Sequence, residues 1–209
     1  YQFRYGVFVR MTLVTGLRLG EVVGLRWCDI DFYTNMLHVN QTLNRLQRYD
    51  DDEADSKTEI VTQTPKSQNS IRSIPMLPDL VMDLQNWRTV QMQDAAALGT
   101  AYFDSGLIAT QENGLYVEPR LMREYYQKML AAANLPNYNF HALRYTFATR
   151  AMEQGMDAKT LSILLGHYSV GFTLDTYAHV LTDQKWTAMQ TMANMYNMEP
   201  PLRQPIQFF

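Results

Sequence analysis

The chain has 209 residues, of which 46% are apolar and 19% are charged, and its formal net charge is −3. This length predicts a folded domain with a buried core, and no apolar run is long enough to indicate a membrane span. The only cysteine, Cys28, excludes an internal disulfide and a cysteine-rich zinc site and predicts a cytoplasmic location. The start at Tyr1 has neither an initiator Met nor a signal-peptide pattern, which predicts a piece of a longer protein.

The negative charge is concentrated in one part of the chain. Residues 49–116 carry −7, with an acidic run at 50–53, whereas residues 1–48 carry +3 and residues 117–155 carry +2. Such an acidic run is typical of a solvated loop. A DNA partner is therefore compatible with the positive segments although the total charge is negative.

The first third of the chain predicts two helices and a small sheet. Residues 2–14 form a helix that ends near Gly16, and a short helix follows around 21–25. A polar turn at 67–69 joins two strands, and Pro75 ends the second of them. The predicted strands, which we expect to pair as one three-stranded antiparallel sheet, cover 36–42, 59–64 and 70–74.

The chain after residue 78 predicts helices. Pro119 suits a first helical position, Asp157 suits an N-cap, and Gly155 and Gly166 suit helix ends. The predicted helices cover 79–98, 119–133, 140–154, 158–165, 170–180 and 183–197. The predicted fold class is therefore α+β and mainly α, as one domain with a small sheet.

Five short segments carry residues suited to phosphate chemistry. Together they supply two arginines, two histidines, a lysine and a tyrosine, a set that can bind a phosphodiester and attack it with a phenol. The segments are T-G-L-R-L-G-E at 15–21, T-P-K at 64–66, H-A-L-R at 141–144, L-G-H at 165–167 and T-Y at 176–177.

Two of these segments predict anion binding from local structure. His141 and Arg144 share one face of the first turn of a helix that Asn139 caps, where free N–H groups and the helix dipole favour an anion. Arg18 can bind a phosphate through two N–H groups, and a carboxylate three residues later, Glu21, can fix its rotamer.

The remaining segments need help from the fold. Lys66 lies at a hairpin turn, from which its ammonium can reach a neighbouring site. The phenol of Tyr177 has an ordinary pKa near 10, so it needs positive charge or a proton acceptor nearby. An unbroken helix would separate His167 from Tyr177 by about 15 Å, so we expect a break at 167–169, after Gly166.

The order and wording of the segments resemble the catalytic domain of the tyrosine recombinases, the phage integrase family. The similarity is nearest to integrases of conjugative transposons from Gram-positive bacteria. It extends from about residue 5 to about residue 180 and rests on T-G-L-R-L-G-E-V-V-G-L, T-P-K-S, S-I-R-S-I-P, H-A-L-R-Y-T-F-A-T, L-L-G-H and T-L-D-T-Y-A-H. The resemblance implies the DNA breaking–rejoining enzyme fold, a catalytic domain over residues 1–180, and N-terminal DNA-binding domains that are absent from this fragment.

The resemblance also implies a reaction and the residues that perform it. Tyr177 is the nucleophile and forms a 3′-phosphotyrosyl link, Lys66 is the general acid for the leaving 5′-hydroxyl, and Glu21 supports Arg18. Tyr145 stands where many members have a second histidine. No metal or cofactor is implied. The residues expected around the scissile phosphate are Arg18, Lys66, His141, Arg144 and His167.

Residues 181–209 predict a C-terminal helix and tail. An apolar stripe on that helix either packs on its own domain or, as the resemblance implies, docks on a neighbouring subunit of a homo-tetramer on DNA. The implied partners are double-stranded recombination sites and accessory factors that bend DNA or set direction. The stripe consists of Trp186, Met189, Met192, Ala193 and Tyr196.

Three alternatives stay open at this point. Residues 157–180 superficially read as the helix-turn-helix of a non-catalytic DNA-binding module, although the second helix lacks Arg and Lys. A type IB topoisomerase-like enzyme uses similar phosphotyrosyl chemistry without exchanging strands between sites. A degenerate integrase kept as an interaction protein is disfavoured, because every position matched to the motifs keeps its residue.

Overall fold

The computed structural model describes residues 4–47, 58–63 and 68–199, and within them two α-helices are followed by five β-strands and then by six more α-helices. The helices are α1 (Gly6–Thr15), α2 (Leu19–Gly24), α3 (Pro78–Leu98), α4 (Pro119–Ala132), α5 (His141–Glu153), α6 (Ala158–Leu165), α7 (Val170–Thr176) and α8 (Ala178–Met195). The strands are β1 (Ile30–Asp31), β2 (Met36–Val39), β3 (Thr42–Gln47), β4 (Thr58–Gln63) and β5 (Arg72–Pro75). The predicted α+β, mainly helical class is confirmed.

The junction between α1 and α2 is built by a glycine and a carboxylate. Gly16 ends α1 in the left-handed conformation, with φ of 68°, and its N–H donates to the carbonyl of Thr12. Two residues later, the backbone N–H of Arg18 donates to the carboxylate of Glu21 over 2.8 Å, which caps the start of α2. The predicted end of the first helix is confirmed, while its start lies at Gly6.

A three-stranded antiparallel sheet is present, as predicted, but its composition differs, because the predicted strand at 59–64 pairs in a separate two-stranded sheet. Strands β1, β2 and β5 form one antiparallel sheet, and β3 and β4 form a separate antiparallel pair. The predicted strand 36–42 is interrupted where Asn40 donates to the carboxylate of Asp29 and Gln41 donates to the carbonyl of Gly24. These side-chain bonds turn the backbone out of the first sheet, so β5 replaces β4 beside β2.

The main core packs the N-terminal helices, α3 and α4 against the three-stranded sheet. Phe8 of α1 meets Trp87 of α3 edge to face, with ring centroids 5.3 Å apart. The indole N–H of Trp87 donates to the carbonyl of Ile108 over 2.6 Å, so the buried polar group is paired. This core fixes α1 and the junction that follows it.

A smaller buried cluster joins α5, α6 and the junction between α7 and α8. Its members are Ala148, Met152, Leu161, Leu165 and Tyr177. Because the cluster includes Leu165 of the L-G-H segment, Tyr177 of the T-Y segment and residues of the helix that begins with H-A-L-R, side-chain packing brings those three segments together.

Most helix boundaries after residue 78 match the prediction to within a few residues. Asp157 caps α6 by accepting bonds from the N–H groups of Lys159 and Thr160, and Gly166 ends α6 with φ of 63°. One junction differs, because α7 ends and α8 begins on either side of Tyr177. None of the described helices is long and apolar enough to cross a membrane.

Candidate active site

Arg144 is an almost fully buried cation in the first turn of α5, with only 2% of its surface exposed. Its Nη1 donates to the carbonyl of Gly16 and its Nη2 to the carbonyl of Leu165, each over 2.7 Å. The helix start is held as expected, since the N–H of Ala142 donates to the side chain of Asn139 over 3.0 Å. Burial, with neighbouring positive charge, lowers the pKa of Arg144 to about 9, so the guanidinium stays protonated at neutral pH.

Arg18 is the more exposed arginine of the site, with 37% of its side chain accessible. Its Nη1 donates to Glu21 over 2.9 Å, and its Nη2 donates to the carbonyl of Gly166 over 3.1 Å. The structure therefore places Glu21 against Arg18, where the sequence predicted it. Because Glu21 itself is 1% exposed, the carboxylate is a rigid support for the arginine.

A second arginine, Arg72 of β5, also binds Glu21, and sequence reasoning missed it. Its Nη1 and Nη2 donate to the two carboxylate oxygens of Glu21 over 3.0 and 2.9 Å. Arg72 shares the buried face of the strand with Ile74, and a charge on that face needs a partner. Burial raises the pKa of Glu21, but hydrogen bonds and charge from Arg72 and Arg18 outweigh it and hold the pKa below its usual value.

Three consecutive backbone carbonyls at the end of α6 bind the three arginines. The bonded pairs, with their N···O distances, are Arg72 and Leu164 (2.6 Å), Arg144 and Leu165 (2.7 Å), and Arg18 and Gly166 (3.1 Å). We call the carbonyls of residues 164–166 the carbonyl row. The last carbonyls of a helix lack intrahelical partners and carry partial negative charge, so they bind cations well.

His167 follows the carbonyl row and begins the break that the sequence predicted. Its Nδ1 is hydrogen bonded to Oγ1 of Thr173 over 2.7 Å, and Ser169 caps α7 by accepting from the N–H of Phe172. Burial lowers the pKa of His167 to about 4, and the charges of the three arginines add to the effect. The imidazole is therefore neutral at pH 7 and has its second ring nitrogen for a ligand.

Tyr177 is 2% exposed and stands at the junction of α7 and α8. Its ring lies 6.0 Å from that of Tyr145, which in turn meets the ring of His141 at 5.0 Å, both edge to face. Burial raises the pKa of Tyr177, against the opposing charge of Arg144, so the phenol is protonated at neutral pH. Burial also lowers the pKa of His141, so this histidine is a neutral base.

One predicted site residue, Lys66, lies outside the described residues, in the segment 64–67 between β4 and β5. Its role stays a prediction from the sequence. The other predicted residues lie at the end of α6, at the starts of α2 and α5 and, for Tyr177, at the junction of α7 and α8.

The described part of the site combines three arginines with one buried carboxylate, two neutral imidazoles and a protonated phenol. The positive charges outnumber the negative one, so the site attracts an anion. Guanidinium groups fixed by backbone carbonyls suit a phosphodiester whose charge grows during substitution at phosphorus. The arrangement can therefore bind a phosphodiester, supply a nucleophile and accept its proton.

Sequence relatives of this chain include recombinases and transposases. Residues 2–184 match the phage integrase family. The tyrosine recombinase XerC-like protein of Caldanaerobacter subterraneus is 35% identical over 185 residues, which cover 87% of this chain and 47% of that protein. The transposase of transposon Tn916 from Enterococcus faecalis is 25% identical over 193 residues, covering 88% of this chain and 44% of the transposase. The chain thus spans about half the length of the curated relatives that it matches.

Solved structures with the same fold point the same way. The Tn1549 transposon integrase in complex with transposon right end DNA has a TM-score of 0.73 and 25% identity, covering 92% of this chain and 60% of that one. The XerA recombinase shares the fold, with a TM-score of 0.58 and 18% identity, and the alignment covers 94% of this chain and 61% of the XerA chain. Since the family match covers residues 2–184, the chain belongs to the phage integrase family.

Proposed function

We propose that this protein is a site-specific DNA recombinase that cuts and rejoins DNA to integrate or excise a mobile element. The observation that carries the proposal is that Arg18 and Arg144 are both bound to the carbonyl row, and that the charge of Arg144 acts on the phenol of Tyr177. The relatives named as a transposase and a transposon integrase support a mobile element as the substrate. A cytoplasmic location follows from DNA as substrate.

The arginines bind the phosphate in the proposed reaction. Arg18 and Arg144 contact the non-bridging oxygens and stabilise the charge that develops on them at the transition state. His167, neutral and anchored through Thr173, adds a hydrogen bond to the same group. Glu21 supports Arg18 without touching DNA.

In the proposed cleavage step a phenol attacks the phosphodiester, and the 5′ end of the cut strand leaves as an alcohol. The phenol oxygen of Tyr177 bonds to phosphorus, the bond from phosphorus to the 5′ oxygen breaks, and a 3′-phosphotyrosyl link remains. His141 accepts the phenol proton, and Lys66 donates a proton to the leaving 5′ oxygen. Attack by another 5′-hydroxyl reverses these steps and joins a new strand, so the energy of the phosphodiester is kept.

Tyr177 must move before it reaches a phosphate. At 2% exposure its ring is packed in the small cluster and against Tyr145, out of reach of a DNA backbone. The short helix α7 and the start of α8 flank it on both sides. We infer that DNA binding shifts this junction, so cleavage is coupled to assembly on the correct site.

The proposed partners are double-stranded recombination sites, on which the protein assembles as a homo-tetramer. Accessory factors that bend DNA or set direction are proposed to join this assembly. In this proposal residues 1–180 form the catalytic domain and residues 181–209 dock on a neighbouring subunit. Part of the α8 stripe supports docking, because Met189, Met192 and Tyr196 are 55%, 42% and 60% exposed, whereas Ala193 is buried. Apolar side chains left uncovered on a helix favour burial against another chain.

A covalent trap tests the proposed chemistry. The purified protein and a Tyr177→Phe variant are incubated with a nicked duplex that carries the end sequence of the element, and adducts are separated on a denaturing gel. The parent should form a protein–DNA adduct, and the variant should form none. The matched control is Tyr33→Phe, because Tyr33 is 97% exposed on a turn between β1 and β2, and it should react like the parent.

The other outcomes separate the alternatives. An adduct with Tyr177→Phe would show that another residue is the nucleophile. Tight binding of the duplex by the parent without any adduct would favour a DNA-binding regulator. If the protein forms the adduct and relaxes supercoiled plasmid but never joins two sites, a type IB topoisomerase-like enzyme would be favoured.

A further inference from the structure

Arg72 is a buried cation for which the proposed reaction has no direct use. Only 3% of its side chain is exposed, and among the described residues its guanidinium makes four hydrogen bonds, two of them to the carboxylate of Glu21, whereas that of Arg144 makes two. Burying a charge is unfavourable unless strong partners compensate it. The role of Arg72 must therefore lie in the groups that it binds.

The contacts of Arg72 connect three parts of the site. Both Nη groups bind the carboxylate of Glu21 at the start of α2, and Nε donates to the carbonyl of Leu164 at the end of α6. Nη1 also donates to the carbonyl of Ser70, over 3.1 Å, next to its own strand. One planar guanidinium thus sets the distance and orientation between Glu21 and the carbonyl row.

Charge balance gives Arg72 a second effect. Glu21 binds both the backbone N–H and the Nη1 of Arg18, so on its own its negative charge would offset that of Arg18. Arg72 supplies a second positive charge to the same carboxylate over 2.9 Å. The positive charge of Arg18 is then left for a ligand, together with that of Arg144.

We propose that Arg72 is a positioning residue for the phosphate site, which balances the charge of Glu21 and fixes it against the end of α6, so that Arg18 is held in place and its positive charge is left for a phosphodiester. The inference rests on the proposed recombinase function. It predicts that Arg72 acts on the substrate through Glu21 and Arg18, and that its effect depends on the charge of the phosphate.

The test compares adduct formation by four variants on two nicked duplexes. The variants are Arg72→Met, Arg72→Lys, the double variant Glu21→Gln/Arg72→Met, and Arg150→Met. One duplex carries the ordinary phosphodiester at the cleavage position, and the other carries an uncharged methylphosphonate there. Arg150→Met is the matched control, because Arg150 is 75% exposed and pairs with Glu153 at the far end of α5.

Arg72→Met should slow the adduct on the phosphodiester about 100-fold but on the methylphosphonate only a few-fold, because that substrate needs less positive charge. The double variant should regain at least about tenfold on the phosphodiester, since the unbalanced carboxylate is gone. Arg150→Met should match the parent on both. A residue that only stabilised the fold would slow both substrates equally and would gain nothing from Glu21→Gln.

Circular dichroism and thermal unfolding show which variants fold. Should Arg72→Met not fold, Arg72→Lys decides, because it keeps the charge but cannot bind Glu21 and Leu164 together, and about a tenfold loss is expected. In that case the proposal is overturned if Arg72→Lys forms the adduct at the parental rate. It is also overturned if Arg72→Met loses the same factor on both duplexes, or if the double variant recovers none of the lost rate. Absence of an adduct with the parent protein counts against the proposed function instead.

Discussion

Arg18 and Arg144 carry the same charge but are bound in different ways. Arg144 is 2% exposed and donates through both Nη groups to backbone carbonyls, so its position is set before any ligand arrives. Arg18 has one bond to a side chain and one to the backbone, with 37% of its side chain exposed. We interpret Arg144 as the fixed anchor of the phosphate and Arg18 as the group that adjusts to it.

At the same scale, the buried histidine predicts a pH effect on stability. The pKa of His167 is about 4 in the folded chain, below the ordinary value of 6.5, so protonation favours the unfolded state. The stabilisation from the neutral imidazole is complete above pH 6.5 and is lost as the pH falls towards 4. The melting temperature of the parent should therefore fall more steeply across this window than that of His167→Gln.

Thermal unfolding followed by circular dichroism at closely spaced pH values measures this difference. His38→Gln in β2 is the matched control, and its melting temperature should fall as steeply as that of the parent, since it keeps His167. Parallel curves for the parent and His167→Gln would contradict the prediction. The carboxylates that titrate in the same window are common to all three proteins and cancel in the comparison.

At the scale of elements, the end of α6 performs several tasks in a few residues. It presents the carbonyl row to the three arginines, ends the helix at Gly166 and turns the chain so that His167 meets Thr173. The following helix, α7, has seven residues and none of them is Lys or Arg. The helix-turn-helix pattern in this region coincides with the turn that holds the carbonyl row and His167 in place.

Gly166 gives a prediction for this element. A Cβ there would lie 2.9 Å from Nη1 of Arg72, at a left-handed φ of 63°, so Gly166→Ala combines backbone strain with a clash. Gly155→Ala is the matched control, because it has a φ of 87° but nothing within 4 Å. Gly155→Ala should lower the free energy of unfolding by about 1 kcal/mol, and Gly166→Ala by at least about 1 kcal/mol more.

Denaturant unfolding of the two variants measures the difference, and the adduct assay adds a functional reading. Gly166→Ala should also slow adduct formation, because Arg72 and the carbonyl row shift together, while Gly155→Ala should not. Equal losses of stability in the two variants would show that contact with Arg72 contributes nothing at Gly166.

At the scale of the whole molecule, the C-terminal helix leaves part of its apolar stripe, Met189, Met192 and Tyr196, on the surface. Replacing Met189 and Met192 by Glu should change the stability of the free chain by less than about 0.5 kcal/mol, because both side chains are exposed. The same change should weaken assembly on paired recombination sites by at least about tenfold, since charge replaces buried contacts in the proposed complex. Light scattering measures the mass of the protein–DNA complex and the protein concentration at which the complex forms.

Met82→Glu is the matched control for the stripe. Met82 is 61% exposed on α3, so it has the same chemistry on a different face. The control should assemble like the parent. If the stripe variant assembled equally well, or if it lost stability as a free chain, the stripe would belong to the fold of its own domain.

Local physics explains how much of the fold and site was predicted from the sequence. Caps and helix ends at Asp157, Gly16 and Gly166 follow from backbone preferences, and the structure has them where expected. The pairing of strands does not follow from backbone preferences, because the predicted strand 36–42 is divided by contacts of Asn40 and Gln41 with distant backbone and side-chain groups.

The sequence by itself determined the types of helix and strand, the ordered set of arginines, histidines and tyrosine, and through them the family. Only the tertiary structure decided that Arg72 shares Glu21 with Arg18, that the end of α6 binds all three arginines, and that Tyr177 is buried. The physical reason is range. Propensities and caps act over about four residues, whereas Arg72 and Glu21 are 51 residues apart, and Arg18 and Gly166 are 148 apart. Packing of the helices against the sheet brings such groups within hydrogen-bonding distance.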